Sequence, residues 1–249
     1  MSAEWRLFLL ALRYFTRIPV PAGVLRGAAP FNDAARYLPL VGIVVGAGGG
    51  ALYWLAALVW PTSLAVLLSM LGVVLLTGAM HEQGLAATCA VLGATQRRER
   101  ALQAGDSGQR SGFGALGLLF VQLIRYDALL GLSSAQLPFA LPAHVGLGLT
   151  MVAGHAASRA LVVSAITHRS AARITTGAMT FALLCGFLPA TLLGTAGMVG
   201  LAAAIVVRMG FVHAVGARLG EQPGDLLGAT QQLTEVAFYL GALATWTYI

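Results

Sequence analysis

Seven mostly apolar runs follow one another along this chain after an arginine-bearing opening segment, and no other feature limits its fold as strongly. They extend from Leu38 to Trp60, Thr62 to Met80, Gly114 to Leu132, about His144 to Ile166, Thr176 to Leu193, Met198 to Val215 and Leu233 to Ile249. A helix that crosses a bilayer needs roughly 20 mostly apolar residues, and these runs supply that number or approach it. Composition agrees, with 58% hydrophobic residues, 10% charged and a mean hydropathy of +0.81. A soluble domain carries roughly 25% charged residues, and a disordered chain needs low hydrophobicity, so both classes are excluded. The runs predict an all-α, polytopic transmembrane helix bundle of about seven spans, forming one integral-membrane domain over residues 1–249.

The arginines orient that bundle. All 15 basic residues are arginine. They concentrate in the opening segment (Arg6, Arg13, Arg17, Arg26, Arg36), after the second run (Arg97, Arg98, Arg100, Arg110), after the fourth (Arg169, Arg173) and after the sixth (Arg218). The alternate loops, near Pro61, from Ser133 to Pro142 and near Gly194, carry no charge. The positive-inside rule then puts the N-terminus in the cytoplasm, with segments 1–37, 81–113 and 217–232 on the same side. The expected location is the inner (plasma) membrane, as a multi-pass protein. The net charge of +6 is explained by that face, without nucleic acid as a partner. The opening apolar stretch carries arginines within it and no small-residue cleavage site, so it does not read as a cleaved signal peptide. Trp5 to Phe15 is too short to span and reads as an amphipathic helix lying on the bilayer surface. Cys89 and Cys185 sit far apart in apolar surroundings and read as small buried side chains.

Three arginines fall inside apolar runs: Arg125, Arg159 and Arg208. A charge at membrane depth costs several kcal/mol unless paired or wetted. Arg208 fits snorkelling toward the cytoplasmic edge. For Arg125 and Arg159 two readings stand equally: the same snorkelling, with Asp127 a nearby pairing partner for Arg125, or a cavity that binds an anion. Chemistry is otherwise expected in the polar segments. His81-Glu82 resembles the start of a zinc-protease HExxH, but Leu85 holds the second histidine's place. Ser107 lacks the second glycine of a nucleophile elbow. Asp106 and Gly224-Asp225 read first as turn or cap residues. Glu235 reads as an acid at the N-terminal mouth of the last span.

The ordered segments FTRIPVP (from Phe15), RYLPLVGIVVG (from Arg36), TGAMHEQGLA (from Thr77), RERALQAGDS (from Arg98), FGALGL (from Phe113) and GDLLGATQQLTEV (from Gly224) resemble the cobalamin synthase family. These are adenosylcobinamide-GDP ribazoletransferases. The resemblance covers nearly the whole chain. It implies a membrane transferase late in vitamin B12 assembly, joining adenosylcobinamide-GDP to α-ribazole or its 5′-phosphate with release of GMP. It also implies Mg²⁺ as cofactor, the lipid bilayer as surroundings, and other membrane proteins of cobalamin assembly as partners.

The family's central motif resembles H-x-D-G-L-A-D-x-x-D-G, whose aspartates recur at i, i+4 and i+7 and share one helix face. Here those positions hold Gln83, Ala87 and Ala90, while His81 and Gly84 persist. In a second segment Asp106 and Ser107 match, and in a third Gly224 and Asp225 match. By this resemblance the residues expected to act as catalytic groups and metal ligands are Glu82, Asp106 and Asp225. Arg17, Arg36, His81, Gly84, Ser107, Arg125, Arg159 and Gly224 are expected to bind substrate. Three hypotheses compete: a transferase with a rearranged metal site, an inactive homologue that binds corrinoid, nucleotide or pathway partners, and a small-molecule transporter.

Overall fold

The structure is a computed structural model that describes residues 2–21, 23, 31–93, 108–134, 142–166, 174–216 and 223–248. It is all-helical among those residues. In chain order the elements are α1 (Ala3–Phe15), α2 (Phe31–Ala34), a 3₁₀ turn (Ala35–Tyr37), α3 (Leu38–Ala57), α4 (Thr62–Thr77), α5 (Met80–Leu92), α6 (Gly108–Ser133), α7 (Ala143–Ile166), α8 (Thr176–Thr191), α9 (Gly194–Gly216) and α10 (Pro223–Tyr248).

Each of the seven apolar runs falls largely within one of these helices. Among the described residues four helical segments are long and apolar enough to cross a membrane: Ala35–Ala57, Gly112–Ser133, His144–Ile166 and Gly194–Val215. The pair α4 and α5 makes a fifth if counted as one broken span, bent by 92°. Helix α8 is apolar but has only 16 residues. Helix α10 is long, but its middle is rich in polar groups that point inward. The chain is thus a polytopic helical membrane protein. Its exposed large side chains, among them Leu67, Leu71, Leu75, Phe120, Leu188 and Val206, are of the kind that suit lipid contact.

Helices α7 and α10 form the centre. Helix α7 packs on α3, α8 and α10; helix α10 packs on α9, α5, α7 and α6. The α3–α7 crossing is built from glycine. Gly42, Gly46 and Gly50 recur every four residues along one side of α3. A Cβ on Gly46 lies 2.6 Å from Val152 Cα, and one on Gly50 lies 2.8 Å from Gly148 Cα. Small residues at this spacing let two backbones touch, the main source of cohesion where lipid is as apolar as the side chains. Gly46→Val is therefore expected to cost about 3 kcal/mol or more through overpacking. A fall in the melting temperature of the detergent-purified protein checks this; an unchanged melt contradicts it.

Helix α1 is the amphipathic helix read from the sequence. Leu7, Ala11, Leu12 and Phe15 are buried, whereas Trp5, Arg6, Arg13 and Tyr14 face out. Its Glu4 carboxylate accepts hydrogen bonds from the Tyr37 hydroxyl and the Arg36 guanidinium. The Tyr37 hydrogen bond, helped by Arg36, holds the Glu4 carboxyl below its ordinary range. The stability it adds is present at neutral pH and is lost as pH falls through the folded-state value.

The turn between α4 and α5 sets the site. Gly78 (φ 69°) and Ala79 (φ 58°) are both left-handed, which reverses the chain within two residues. Glycine adopts that conformation freely, whereas alanine does so at a cost of roughly 1–2 kcal/mol. The Arg17 backbone N–H donates to the Leu76 carbonyl at 2.7 Å, tying the stretch after α1 to this turn. Met80–Leu92 is thereby a helix folded against the bundle, where the sequence suggested a polar loop beginning at His81.

Candidate functional site

The polar residues of α10 collect partners from three other helices. Glu235 lies at the centre, 1% exposed. Its carboxylate stands 3.3 Å from the Arg125 guanidinium on α6. On α7 it meets His155 Nδ1 at 2.8 Å and the Arg159 guanidinium at 3.9 Å. Gln231 Nε2 and the Tyr239 hydroxyl donate to the same carboxylate. Residues 231, 235 and 239 are four apart and so share one side of the helix. Arg159 Nη1 also donates to the His155 carbonyl at 3.1 Å, and Gln231 Nε2 donates to Ser158 Oγ at 3.3 Å.

Gln232 carries the cluster to α5. Its Oε1 accepts from Arg125 Nη2 at 2.6 Å, and its Nε2 donates to Glu82 Oε1 at 2.9 Å and to Gln231 Oε1 at 3.0 Å. Arg125 Nη1 stands 4.0 Å from Glu82 Oε1. Two guanidinium groups thus face two carboxylates in the middle of the bundle. Such pairing offsets the several kcal/mol that an isolated charge costs at this depth.

Arg125 and Arg159 are therefore engaged within the protein. The partners of Arg125 are Glu235 and Glu82, whereas Asp127 is exposed and two residues along the helix, which puts it on a different side. Glu235 is mid-helix, not at the mouth of a span, because α10 begins at Pro223 rather than at Leu233. Proline suits a first helical position, since its missing N–H has no partner there. Arg208 is half-buried and its Nη2 donates to the Ser164 carbonyl at 2.9 Å, near the C-terminal end of α7, where a cation is favoured.

Helix α5 has two unlike sides. His81, Glu82, Leu85 and Thr88 are buried; Gln83 is exposed, and Ala87 and Ala90 are half-buried. Successive helical residues lie about 100° apart, so Glu82 faces the cluster while Gln83 faces out. The His81 ring stacks on Phe15 with centroids 5.9 Å apart. Gly84 meets α10, where a Cβ on it lies 3.0 Å from both the Asp225 carbonyl and Gly228 Cα. Thr88 Oγ1 donates to the Asp225 carbonyl at 3.3 Å. Asp225 is half-buried at this crossing and Gly224 beside it is exposed. Arg17 is exposed over the α4–α5 turn, its Nε 3.0 Å from where a Gly78 Cβ belongs. Arg36 pairs with Glu4 beside a cavity of about 180 Å³ that Gly177, Ala178 and Phe181 of α8 complete. Asp106 and Ser107 lie outside the described residues.

The sequence reading missed His155, Gln231, Gln232 and Tyr239, and misplaced Glu235. The signal was present: His155 and Arg159 are four apart, as are Gln231, Glu235 and Tyr239. Starting the last helix at Leu233 separated the glutamines from the acid they serve.

The described residues do not fit a Mg²⁺ ion. Among them no group of three or more His, Cys, Asp or Glu side chains is arranged to hold a metal. Positions 83, 87 and 90 offer one neutral amide and two methyl groups. The Glu82 carboxylate is turned to Gln232 and Arg125, and a guanidinium beside it opposes a second cation.

Comparison with known proteins places this architecture. A family model described as cobalamin-5-phosphate synthase matches residues 7–243. A protein of Leptothrix cholodnii named adenosylcobinamide-GDP ribazoletransferase is 39% identical over 97% of this chain and 96% of its own length. Proteins of the same name from Ralstonia nicotianae and Shewanella amazonensis are 37% and 33% identical, over 97% and 98% of this chain and 96% and 97% of their own lengths. No solved structure matches the chain. With agreement from end to end in sequence, and a helical membrane fold around the segments that carry the resemblance, this chain belongs to the cobalamin-5-phosphate synthase family.

Proposed function

We propose that this protein, in the inner membrane, transfers the corrinoid phosphoryl group of adenosylcobinamide-GDP to α-ribazole or its 5′-phosphate. In that reaction a ribose hydroxyl oxygen forms a bond to phosphorus, the bond from phosphorus to the GMP oxygen breaks, and the hydroxyl proton passes to solvent or a basic group. The observation that carries this reading is the whole-chain similarity to proteins of that name, at 33–39% identity. The transporter reading is set aside on the same ground.

The family resemblance assigns Mg²⁺ to this reaction, where it would neutralise charge on the diphosphate and on departing GMP. The residues described here do not form its site, so no step is derived through it. What the chain's own residues supply is placement: α5 is held against α10 at Gly84 and Gly228, with its Gln83 side outward. Slow turnover follows from Gln83, Ala87 and Ala90, and the same observation favours the second reading, a member that binds corrinoid or nucleotide with little transfer. Purified protein supplied with both substrates and Mg²⁺ is expected to release GMP and form the joined corrinoid in equal amounts, followed by chromatography. Neither GMP release nor retention of the coloured corrinoid by the protein is the result that contradicts both readings.

A further inference from the structure

At the α5–α10 crossing Gly84 and Gly228 bring the two backbones together, and the Thr88 hydroxyl donates to the Asp225 carbonyl at 3.3 Å. The glycine contact holds two helices close but resists rolling poorly. The buried Glu82 side chain gives a second hold on the roll of α5, nearer its start, and Gln232 is placed to fix it. The Gln232 amide uses its oxygen on Arg125 of α6 and both its N–H groups, one on Glu82 of α5 and one on Gln231 of its own helix. It is 2% exposed, so water does not compete for these bonds. A single buried polar side chain is a known device for fixing the register of packed helices, at some cost in stability.

We propose that Gln232 is a positioning residue: by bridging Arg125 to Glu82 it fixes the roll of α5, and so decides that Gln83 is turned outward, with Ala87 and Ala90 half-buried, while Leu85 and Thr88 are turned in. Glu235 supports it by anchoring Arg125. The consequence for phosphoryl transfer rests on the function proposed above, but the roll itself does not.

The test reads α5 without turnover. In a background of Cys89→Ala and Cys185→Ala, single cysteines are placed by Gln83→Cys and by Leu85→Cys, and maleimide labelling rates are compared in detergent. Position 83 is exposed and Leu85 is 1% exposed. The expected contrast is on the order of 100-fold, the protection given by a local opening of a few kcal/mol. Gln232→Leu is expected to reduce the contrast to less than about 10-fold in protein that still elutes as a single species. Gln232→Glu sets two carboxylates against each other and should do the same. Joining it to Glu82→Gln exchanges the two groups, keeps the hydrogen bonds to Arg125 and to position 82 and the net charge, gives up only the bond to Gln231, and is expected to restore the contrast. Persistence of full contrast in the folded Gln232→Leu or Gln232→Glu protein overturns the proposal, as does failure of the exchange to restore it. If Gln232→Leu does not fold, the Gln232→Glu and exchanged proteins decide between these outcomes. Absence of GMP release from the parent protein, with the labelling contrast lost in Gln232→Leu and restored by the exchange, would instead count against the proposed function alone.

Discussion

Glu235→Leu is expected to cost about 3–5 kcal/mol of stability, the usual penalty for removing one partner from a buried ion cluster. The reason is what it leaves behind. Arg125 is 3% exposed and Arg159 is 2% exposed, and each would lose its Glu235 carboxylate. Glu82 alone cannot replace it, since it stands 4.0 Å from Arg125 and already accepts from Gln232. Adding Arg125→Met to Glu235→Leu removes one of the stranded charges. The pair is then expected to recover at least half of the loss, because residues in one network do not add. Thermal melts of the detergent-purified proteins measure both quantities. A mild effect of Glu235→Leu, under about 1 kcal/mol, would mean that water reaches the cluster and that the buried pairing is not what holds it.

Much of this fold was legible from hydropathy. All seven apolar runs fall largely in helices, and the short amphipathic N-terminal helix is where Trp5 to Phe15 placed it. The losses came where periodicity competes with polarity. Residues 223–232 are too polar to read as part of a span, yet they open α10, because their polar side chains are satisfied inside the bundle rather than in water. The segment from His81 looked like a loop for the same reason. It is a helix because Gly78 and Ala79 reverse the chain and because Glu82 finds Gln232 and Arg125. Distances between elements far apart in sequence, such as Glu82 with Gln232 or His155 with Glu235, leave no trace in a single sequence. The family resemblance identified the segments that carry chemistry, but not that Glu82 faces the core while its neighbour Gln83 faces out.

A second large effect is expected from Gln83→Asp, Ala87→Asp and Ala90→Asp together. Gln83 is exposed, Ala87 is half-buried, and Ala90 is half-buried beside Gly114 of α6. Three carboxylates at this spacing share one face, and Mg²⁺ asks for one or two carboxylates with several waters. Without metal the added charges repel and should lower stability, by about 0.2–0.5 kcal/mol for each close pair. With metal the sign reverses: at a concentration 100-fold above its dissociation constant, binding adds about 2.7 kcal/mol. The variant is thus expected to melt lower than the parent in chelator and higher than itself by several degrees in Mg²⁺, while the parent is indifferent. An equal Mg²⁺ shift in the parent would show a metal site elsewhere, with Asp106 and Asp225 the first residues to examine.

We infer that this chain keeps the family's transferase architecture while its α5 carries Gln83, Ala87 and Ala90 where the resemblance assigns the metal-holding aspartates. Side-by-side turnover of the parent and the three-aspartate variant, with adenosylcobinamide-GDP, α-ribazole and Mg²⁺, tests it most directly. GMP release is expected to be at least about 100-fold faster in the variant, the scale on which a positioned charge acts on such a transition state. Equal, Mg²⁺-dependent turnover in the two proteins would contradict it.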